Sequence, residues 1–334
     1  MLRGLSIENT NVIVTGGAGY IGSHACKALR ENGYNPIAVD SLITGWRDAV
    51  KYGVHEHVDL LERDKLDAVF KKFRPVGVLH FAALSQVGES VLMPKKYWVN
   101  NVLGSINLIE VALENECNKL VFSSTAATYA EDQGGLLTEI STQTPKSPYG
   151  WSKLATEQLL KQYAEISPLQ YVVFRYFNVA GADPDGEIGE FHNPETHLIP
   201  LALAAAKTGS DFTIFGNEHS TRDGTCIRDY VHVSDLVDAH LRGLSLLEHE
   251  RSSASFNLGT GQGYSVLEVL EEVECVTRKK INKVVGSARK GDPASLVADA
   301  SLAKTELGWK PTRSNLEQMI SDAWRWYKLD GYKK

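Results

Sequence analysis

Short apolar runs alternate with amphipathic stretches along the first half of the chain. Asn11-Val-Ile-Val-Thr15 reads as a buried strand, and Tyr20 to Asn32 as a helix with Ile21, Ala25, Ala28 and Leu29 on one side. Gly33 follows at a natural C-terminal stop. The same rhythm predicts strands over Asn35 to Val39, Val54 to Val58, Val76 to His80, Leu120 to Ser123 and Tyr171 to Tyr176. Helices are expected over Asp64 to Phe73, Pro94 to Glu116 and Tyr149 to Ile166. Repeated strand, helix, strand implies an α/β fold, a doubly wound parallel sheet of Rossmann type.

After Asn178 the pattern changes, and Gly, Pro, Asp and His become frequent between Gly181 and Pro200. The division expected is a dinucleotide-binding domain over 1–178 and a smaller C-terminal α/β lobe over 179–334. Ile227 to Val233 and a helix from Asp235 to Leu247 are expected to return to the sheet, so that about 227–247 rejoins the first domain.

Composition changes this picture little. The 334 residues are 43% apolar and 23% charged, enough to bury a sizeable core. A formal net charge of −6 argues against a general nucleic-acid binder. No run approaches the ~20 apolar residues of a membrane span, and Met1 to Asn9 carry no secretory pattern. Cys26, Cys117, Cys226 and Cys275 have neither metal-ligand nor redox spacing, and are expected as buried, reduced thiols of a cytoplasmic protein.

Chemistry enters where the first strand meets its helix. Thr15-Gly-Gly-Ala-Gly-Tyr-Ile-Gly22 can be read as Gly17-x-Gly19-x-x-Gly22 or as Gly16-x-x-Gly19-x-x-Gly22. Glycine lets backbone N–H groups reach a pyrophosphate, and the helix that follows points its positive end at that anion. A lone glycine motif is weak; between a strand and a helix, with an acid ending the next strand, it is specific. That acid, Asp40, suits ribose hydroxyls and repels a 2′-phosphate, which favours NAD over NADP, although Arg47 nearby would soften the preference. Asp59 reads equally as an adenine neighbour or a loop carboxylate.

Tyr149-Gly-Trp-Ser-Lys153 puts a phenol and an ammonium at i and i+4, on one helix face. The ammonium is expected to lower the phenol from its ordinary value of ~10, as a base for a sugar hydroxyl requires. This spacing recurs by chance in a chain of this size. Its partner is Ser123-Ser124-Thr125 at the end of the fifth strand, where open parallel sheets bind ligands. Thr125 can share a hydrogen bond with the same substrate oxygen.

Taken in order, several segments resemble the UDP-glucose 4-epimerases of the extended short-chain dehydrogenase/reductase family. They are Gly16 to Gly22, His80-Phe-Ala-Ala83, Val87-Gly-Glu-Ser90, Asn100-Asn-Val102, Ser123-Ser-Thr125, Tyr149 to Lys153 and Arg175-Tyr-Phe-Asn178. Gly189-Glu190, Phe215-Gly-Asn217, Asp223-Gly-Thr225 and Ile227-Arg-Asp-Tyr-Val-His232 continue the series, which spans about residues 11 to 310. The resemblance implies 4-epimerisation of UDP-hexoses with NAD, with Tyr149, Lys153 and Thr125 catalytic. It implies NAD contacts from Gly16, Gly19, Tyr20, Ile21, Gly22, Asp40, Asp59, Leu60, Phe81, Ala82, Ala83, Asn100, Ser123, Tyr149 and Lys153. Phe177 stands between this set and the UDP-sugar contacts, which are Thr125, Asn178, Leu198, Phe215, Arg228, Tyr230, Arg289, Asp292 and Leu296. The two arginines suit a diphosphate, and Phe215 or Tyr230 would flank the uracil; the alternatives are a carboxylate partner for Arg228 and a core position for Phe215.

The chain departs from the family's better-known pattern at three places. Ser85 stands where some members carry a Lys that reaches the dinucleotide, Ala83 replaces a Gly, and Ala130 follows Tyr129 where Gly is usual. None removes a catalytic group; the first implies weaker NAD retention. Leu296 falls where the family gates its sugar pocket, with Ser295 as the alternative gate, so UDP-glucose and UDP-galactose are expected to be preferred over their N-acetyl forms. A UDP-N-acetylhexosamine or UDP-pentose 4-epimerase is the alternative. A 4,6-dehydratase is disfavoured because Ala126 and Ala127 follow Thr125 and neither can act as acid or base. A non-catalytic NAD-sensing protein would be expected to have lost the Tyr or the Lys. The family also implies a homodimer, through the two long helices. No metal site is expected: His55 and His57 share one side of a strand without a third ligand, and Arg278-Lys279-Lys280 reads as a helix-end charge cluster.

Overall fold

The computed structural model describes residues 10–130, 135–249, 253–289, 293–329 and 331–332. Its centre is a seven-stranded sheet, parallel throughout. The first six strands are β1 (Asn11–Thr15), β2 (Asn35–Asp40), β3 (Val54–His57), β4 (Gly77–His80), β5 (Lys119–Thr125) and β6 (Gln170–Tyr176). They lie in the order 3-2-1-4-5-6, and a later strand, Ala254–Leu258, closes the edge beside β6. Alternate residues of each strand feed two separate cores. Val12 and Val14 of β1 pack on one face with α1 (Tyr20–Glu31), while Ile13 packs on the other with α2 (Arg63–Phe73). Coverage on both faces is what near-continuous apolar strands require, and each fully buried Leu, Ile or Phe contributes roughly 1.5–3 kcal/mol.

The segment expected as one helix from Pro94 is more complex. A short α3 (Val87–Leu92) precedes α4 (Pro94–Tyr97), a π-helical turn covers Trp98–Leu103, and α5 (Gly104–Glu114) completes it. The widened turn carries Asn100 and Asn101, and the Asn101 amide is buried between the strand-4 loop and the next helix, α6 (Pro148–Ile166). Such turns are frequent at functional sites.

Beyond Asn178 the chain builds a smaller α/β lobe. Its four-stranded sheet has β9 (Ile227–His232) at the centre, paired with β7 (Asn178–Ala180), β11 (Gly263–Ser265) and β13 (Ser295–Leu296). A parallel pair, β8 (Asp211–Phe215) and β12 (Asn282–Gly286), stands beside it. α7 (Leu198–Thr208), α9 (Val266–Thr277) and α11 (Leu316–Lys328) share one core, and α10 (Ser301–Glu306) packs against the main sheet's edge strand.

One expectation fails here. The strand at Ile227 does not rejoin the main sheet; the return is made by α8 (Val233–His249), packed on α1, and by β10 (Ala254–Leu258). The reason is chemical. β9 carries Asp229, buried and accepting hydrogen bonds from the N–H groups of Thr260, Gly261 and Ala298 and from the Thr260 hydroxyl. That carboxylate suits a polar lobe junction, whereas β10 offers Phe256 and Leu258 to the apolar core. Among the described residues no helix is long and apolar enough to cross a membrane. None of the four cysteines forms a disulfide, but Cys275 is exposed and not buried as expected, because it lies on the outer side of α9.

Candidate active site

The carboxyl ends of β1, β2, β4 and β5 lie side by side, where an open parallel sheet has its binding cleft, and the glycine loop follows the first of them. α1 begins at Gly19 with no side-chain cap and no acidic residue in its first turn, so its N–H groups face the cleft ready for an anion. A Cβ on Gly22 would sit 2.1 Å from the Gly16 carbonyl oxygen, so only glycine lets the helix close on the loop. Gly19 differs: a Cβ there would meet nothing nearer than the Gly16 oxygen at 3.2 Å. Internal packing alone does not demand its smallness; close approach of a pyrophosphate does. The cradle therefore fits a dinucleotide.

Asp40 ends β2 as expected. One carboxylate oxygen accepts from Ala18 N at 2.9 Å and the other from Leu42 N at 2.8 Å, so the acid also holds the shape of the glycine loop. Burial pushes its carboxyl up against these hydrogen bonds. Asp59 lies two residues beyond β3 and accepts from Leu61 N at 2.9 Å, the geometry of a loop carboxylate. Leu60 beside it is buried. Phe81, Ala82 and Ala83 follow β4, with the Phe81 ring 4.8 Å from His240 of α8. Ser85 is exposed.

The reactive groups meet where α6 starts against the end of β5. Ser147 caps the helix, accepting from Gly150 N at 3.1 Å, and Pro148 fills its first turn. A Cβ on Gly150 would lie 2.3 Å from the Ala127 carbonyl oxygen. This contact brings Tyr149 to Thr125, which hydrogen-bonds the phenol. The Lys153 ammonium donates to the Ser123 carbonyl oxygen at 2.8 Å.

The electrostatics correct the sequence expectation. Burial pushes the Tyr149 phenol up to about 12, and only the Thr125 hydrogen bond pulls it back. Burial likewise pushes Lys153 down to about 7, opposed by the charge of Glu157. Proximity in sequence implies only that the ammonium stabilises the phenolate. Enclosure by protein instead disfavours both.

A network behind the site went unread in the sequence. Glu157, four residues past Lys153, forms a buried ion pair with Arg175 of β6, Oε2 to Nη2 at 2.8 Å. Ser124 donates to the same carboxylate. Arg175 also donates to the Tyr129 hydroxyl at 3.1 Å, and Tyr129 donates to Asn257 of β10. Asn101 donates to Ser152 at 3.0 Å, and Ser123 pairs with His240 at 3.1 Å. The spacing of Glu157 after Lys153 was the one local signal; the other partners come from distant strands.

The lobe assembles the expected substrate residues by strand register. Asn178 lies opposite Tyr230, and Leu296 opposite Arg228. Leu296 packs with Phe177, Ala126, Tyr129 and Leu137 next to Thr125, while Ser295 is exposed. The β8–β12 pair brings Arg289 over the Phe215 ring at 4.1 Å, and Phe215 is 42% exposed, so it is a platform and not core. Tyr230 is buried in the lobe core, which leaves Phe215 as the aromatic face open to a base. Arg228 donates to the Ile227 carbonyl oxygen at 2.7 Å. Leu198 opens α7. Asp292 lies outside the described residues.

Comparison with known proteins gives this arrangement a family. Residues 12–259 match the model of the NAD dependent epimerase/dehydratase family. The chain belongs to that family. It is 44% identical to a UDP-glucose 4-epimerase of Rhizobium meliloti (strain 1021), over 96% of this chain and 98% of the relative. A crystal structure of a UDP-glucose 4-epimerase superposes with a TM-score of 0.94 at 46% identity, covering 97% of this chain and all of that one. A UDP-glucose 4-epimerase from Brucella ovis, solved with NAD, gives 0.91 at 41% identity, over 95% and 98% of the two chains. As a member of the epimerase/dehydratase family, the chain is an NAD-dependent isomerase built on a Rossmann-type sheet.

Proposed function

We propose that the chain interconverts UDP-galactose and UDP-glucose by NAD-dependent epimerisation at C4, through a 4-keto sugar. The observation that carries this is the enclosed Tyr149–Thr125 pair, with Lys153 behind it, beside the glycine cradle. Bound NAD supplies a hydride acceptor and donor for C4, together with the positive charge of its oxidised ring. Gly16, Gly19, Tyr20, Ile21, Gly22, Asp40, Leu60, Phe81, Ala82, Ala83, Asn100, Ser123, Lys153 and Phe177 are the residues we assign to hold it, with Asp59 at the adenine end. Tyr149 takes the 4-OH proton while Thr125 orients that oxygen. A phenol held near 12 is protonated at neutral pH, so its basic form requires cationic charge nearby, which the oxidised cofactor supplies and Lys153 adds only in its protonated form.

Epimerisation also requires the keto sugar to present its other face. Leu296 and Phe177 pack against Ala126, Tyr129 and Leu137, an apolar wall that begins at the residue after Thr125. Such a wall offers no hydrogen bond to grip the ring and hold one orientation. Retention falls to the nucleotide end: Phe215 for the uracil, Arg228 and Arg289 for the diphosphate, with Asn178, Leu198 and Tyr230 completing the pocket. Ala126 and Ala127 give no acid or base for a 4,6-elimination. We divide the molecule into a dinucleotide unit ending near 178, to which α8 and β10 return, and a UDP-sugar lobe.

We further infer a cytoplasmic homodimer. Val87, Val91, Leu92, Trp98, Val99, Leu103 and Trp151 are exposed on α3, the π turn and α6, a cluster that a second copy would cover. Incubation with UDP-galactose followed by sugar analysis tests the activity. UDP-glucose should accumulate to equilibrium, and Tyr149→Phe should slow this by about 10²–10⁴ while NAD stays bound. Near wild-type turnover in that variant would remove Tyr149 as the base.

A further inference from the structure

The loop that leads into α7 holds chemistry that epimerisation does not use. Within Glu190-Phe-His-Asn-Pro-Glu-Thr-His197, four side chains converge: Glu190, His192, Glu195 and His197. One ligand atom from each lies within 4.8 Å of all the others. His197 Nδ1 is 2.7 Å from Glu190 Oε1 and 3.3 Å from Glu195 Oε1. His192 Nδ1 is 3.3 Å from Glu190 Oε1 and 3.6 Å from Glu195 Oε2.

These separations match a known geometry. Metal–ligand bonds of about 2.0–2.2 Å in a tetrahedron place ligand atoms about 3.3–3.6 Å apart. The 3.3 Å from His192 to Glu190 falls there, as do the distances from His197 to one Glu195 oxygen and from His192 to the other; the shorter one, His197 to Glu190, is that of a hydrogen bond. His192 Nδ1 is buried and makes no hydrogen bond of good geometry.

The scaffold is fixed from both lobes. Trp326 donates to the Glu190 carbonyl oxygen at 3.0 Å, and Trp46 donates to the Phe191 carbonyl oxygen at 2.9 Å. The Phe191 ring meets Trp46 edge-on at 4.8 Å. Glu195 Oε1 accepts from the N–H groups of Thr196 and His197, at 2.7 and 2.8 Å, which sets its carboxylate at the start of α7. Backbone held this firmly pre-organises the side chains, as a metal site requires.

We propose that Glu190, His192, Glu195 and His197 form a structural site for one late first-row divalent cation, with zinc the best match. Two imidazoles and two carboxylates are borderline donors, which suit Zn²⁺, Co²⁺ or Ni²⁺ better than Mg²⁺ or Ca²⁺. The ion would join the loop to the first turn of α7, which Leu198 opens, close to Tyr20 of the cofactor loop. The same contacts also describe two imidazolium rings held by two carboxylates, with protons on the nitrogens a cation would take.

The test separates these two states. NAD-loaded enzyme is dialysed against a chelator, returned to chelator-free buffer, and titrated with Co²⁺ by visible absorption and with Zn²⁺ by calorimetry. One cation per chain is expected, with intense tetrahedral Co²⁺ bands that Zn²⁺ bleaches. His192→Ala and, separately, His197→Asn should weaken Zn²⁺ binding about 100-fold or more, beyond the 10–100-fold typical of partners outside the ligand set. Retained NAD and an unchanged circular dichroism spectrum show that the variants fold. No stoichiometric binding, or wild-type affinity in both variants, would establish the imidazolium–carboxylate cluster instead, and octahedral Co²⁺ bands would overturn the four-ligand site.

Discussion

Tyr149 and Lys153 sit in an enclosure that works against their charges, and a stability prediction follows for the lysine. Its ammonium is pushed from the ordinary 10.5 down to about 7 by burial. The unfolded chain therefore binds a proton here between these values while the folded chain does not. Stability is lost as pH falls from about 10.5 towards 7, and the loss is complete below 7. Lys153→Met removes that cost, on the order of a few kcal/mol, less the hydrogen bond to Ser123. The cofactor-free variant should melt above the wild type at pH 6 to 7, with the gap shrinking as pH rises towards 10, and should lose turnover. A gap independent of pH would show that Lys153 is not held against its charge. Leu296 gives the second prediction at this scale. It packs in the apolar cluster beside Thr125 while Ser295 is exposed, so Leu296 is our gate. A buried acetamido group without a partner costs about 1–3 kcal/mol, so catalytic efficiency on UDP-N-acetylglucosamine should trail that on UDP-glucose by roughly 10–100-fold. Leu296→Tyr should suppress the weaker activity and spare the main one. Equal efficiency on both sugars in the wild type would remove Leu296 as the gate.

At the scale of elements, α6 is held by chemistry as much as by packing. The Glu157–Arg175 ion pair ties it to β6, with Ser124 of β5 on the same carboxylate. Removing one member of such a pair costs about 3–5 kcal/mol, because the other charge is left buried and uncompensated. Arg175→Met should lower the urea midpoint accordingly, and adding Glu157→Gln should recover part of the loss. Equal midpoints for single and double variants would show that the pair is not coupled. The elements that carry the chemistry were legible because their signals are local: apolar runs ending in Asp40 and Thr125, glycines between strand and helix, Tyr and Lys one turn apart. β10 was not read, because Ala254-Ser-Phe-Asn-Leu258 is short and polar at two positions and gains its place only by closing the sheet edge. The pairing of β9 escaped for the matching reason, since Asp229 finds its four donors on segments distant in sequence. The ionisation of Tyr149 and Lys153 depends on enclosure, which spacing along a helix does not encode.

For the whole molecule, the two lobes meet around the cleft, and Tyr20 of the glycine loop donates to the Gly181 carbonyl oxygen at 2.6 Å across their junction. On our proposal, substrate held between them touches both the dinucleotide and the lobe that retains UDP. The apolar cluster on α3, the π turn and α6 predicts a second copy of the chain at that face. Light scattering should return twice the 36.8 kDa chain mass, and Trp98→Glu with Leu103→Glu should shift it to the monomer; a monomeric wild type would contradict the interface. The central claim is that hydride leaves C4 of the sugar and returns to that carbon while the cofactor ends as it began. Turnover of UDP-galactose deuterated at C4 tests it directly. The account predicts UDP-glucose with the deuterium still at C4 and no net reduction of NAD. Loss of the label to solvent would mean proton abstraction at carbon, and would contradict it.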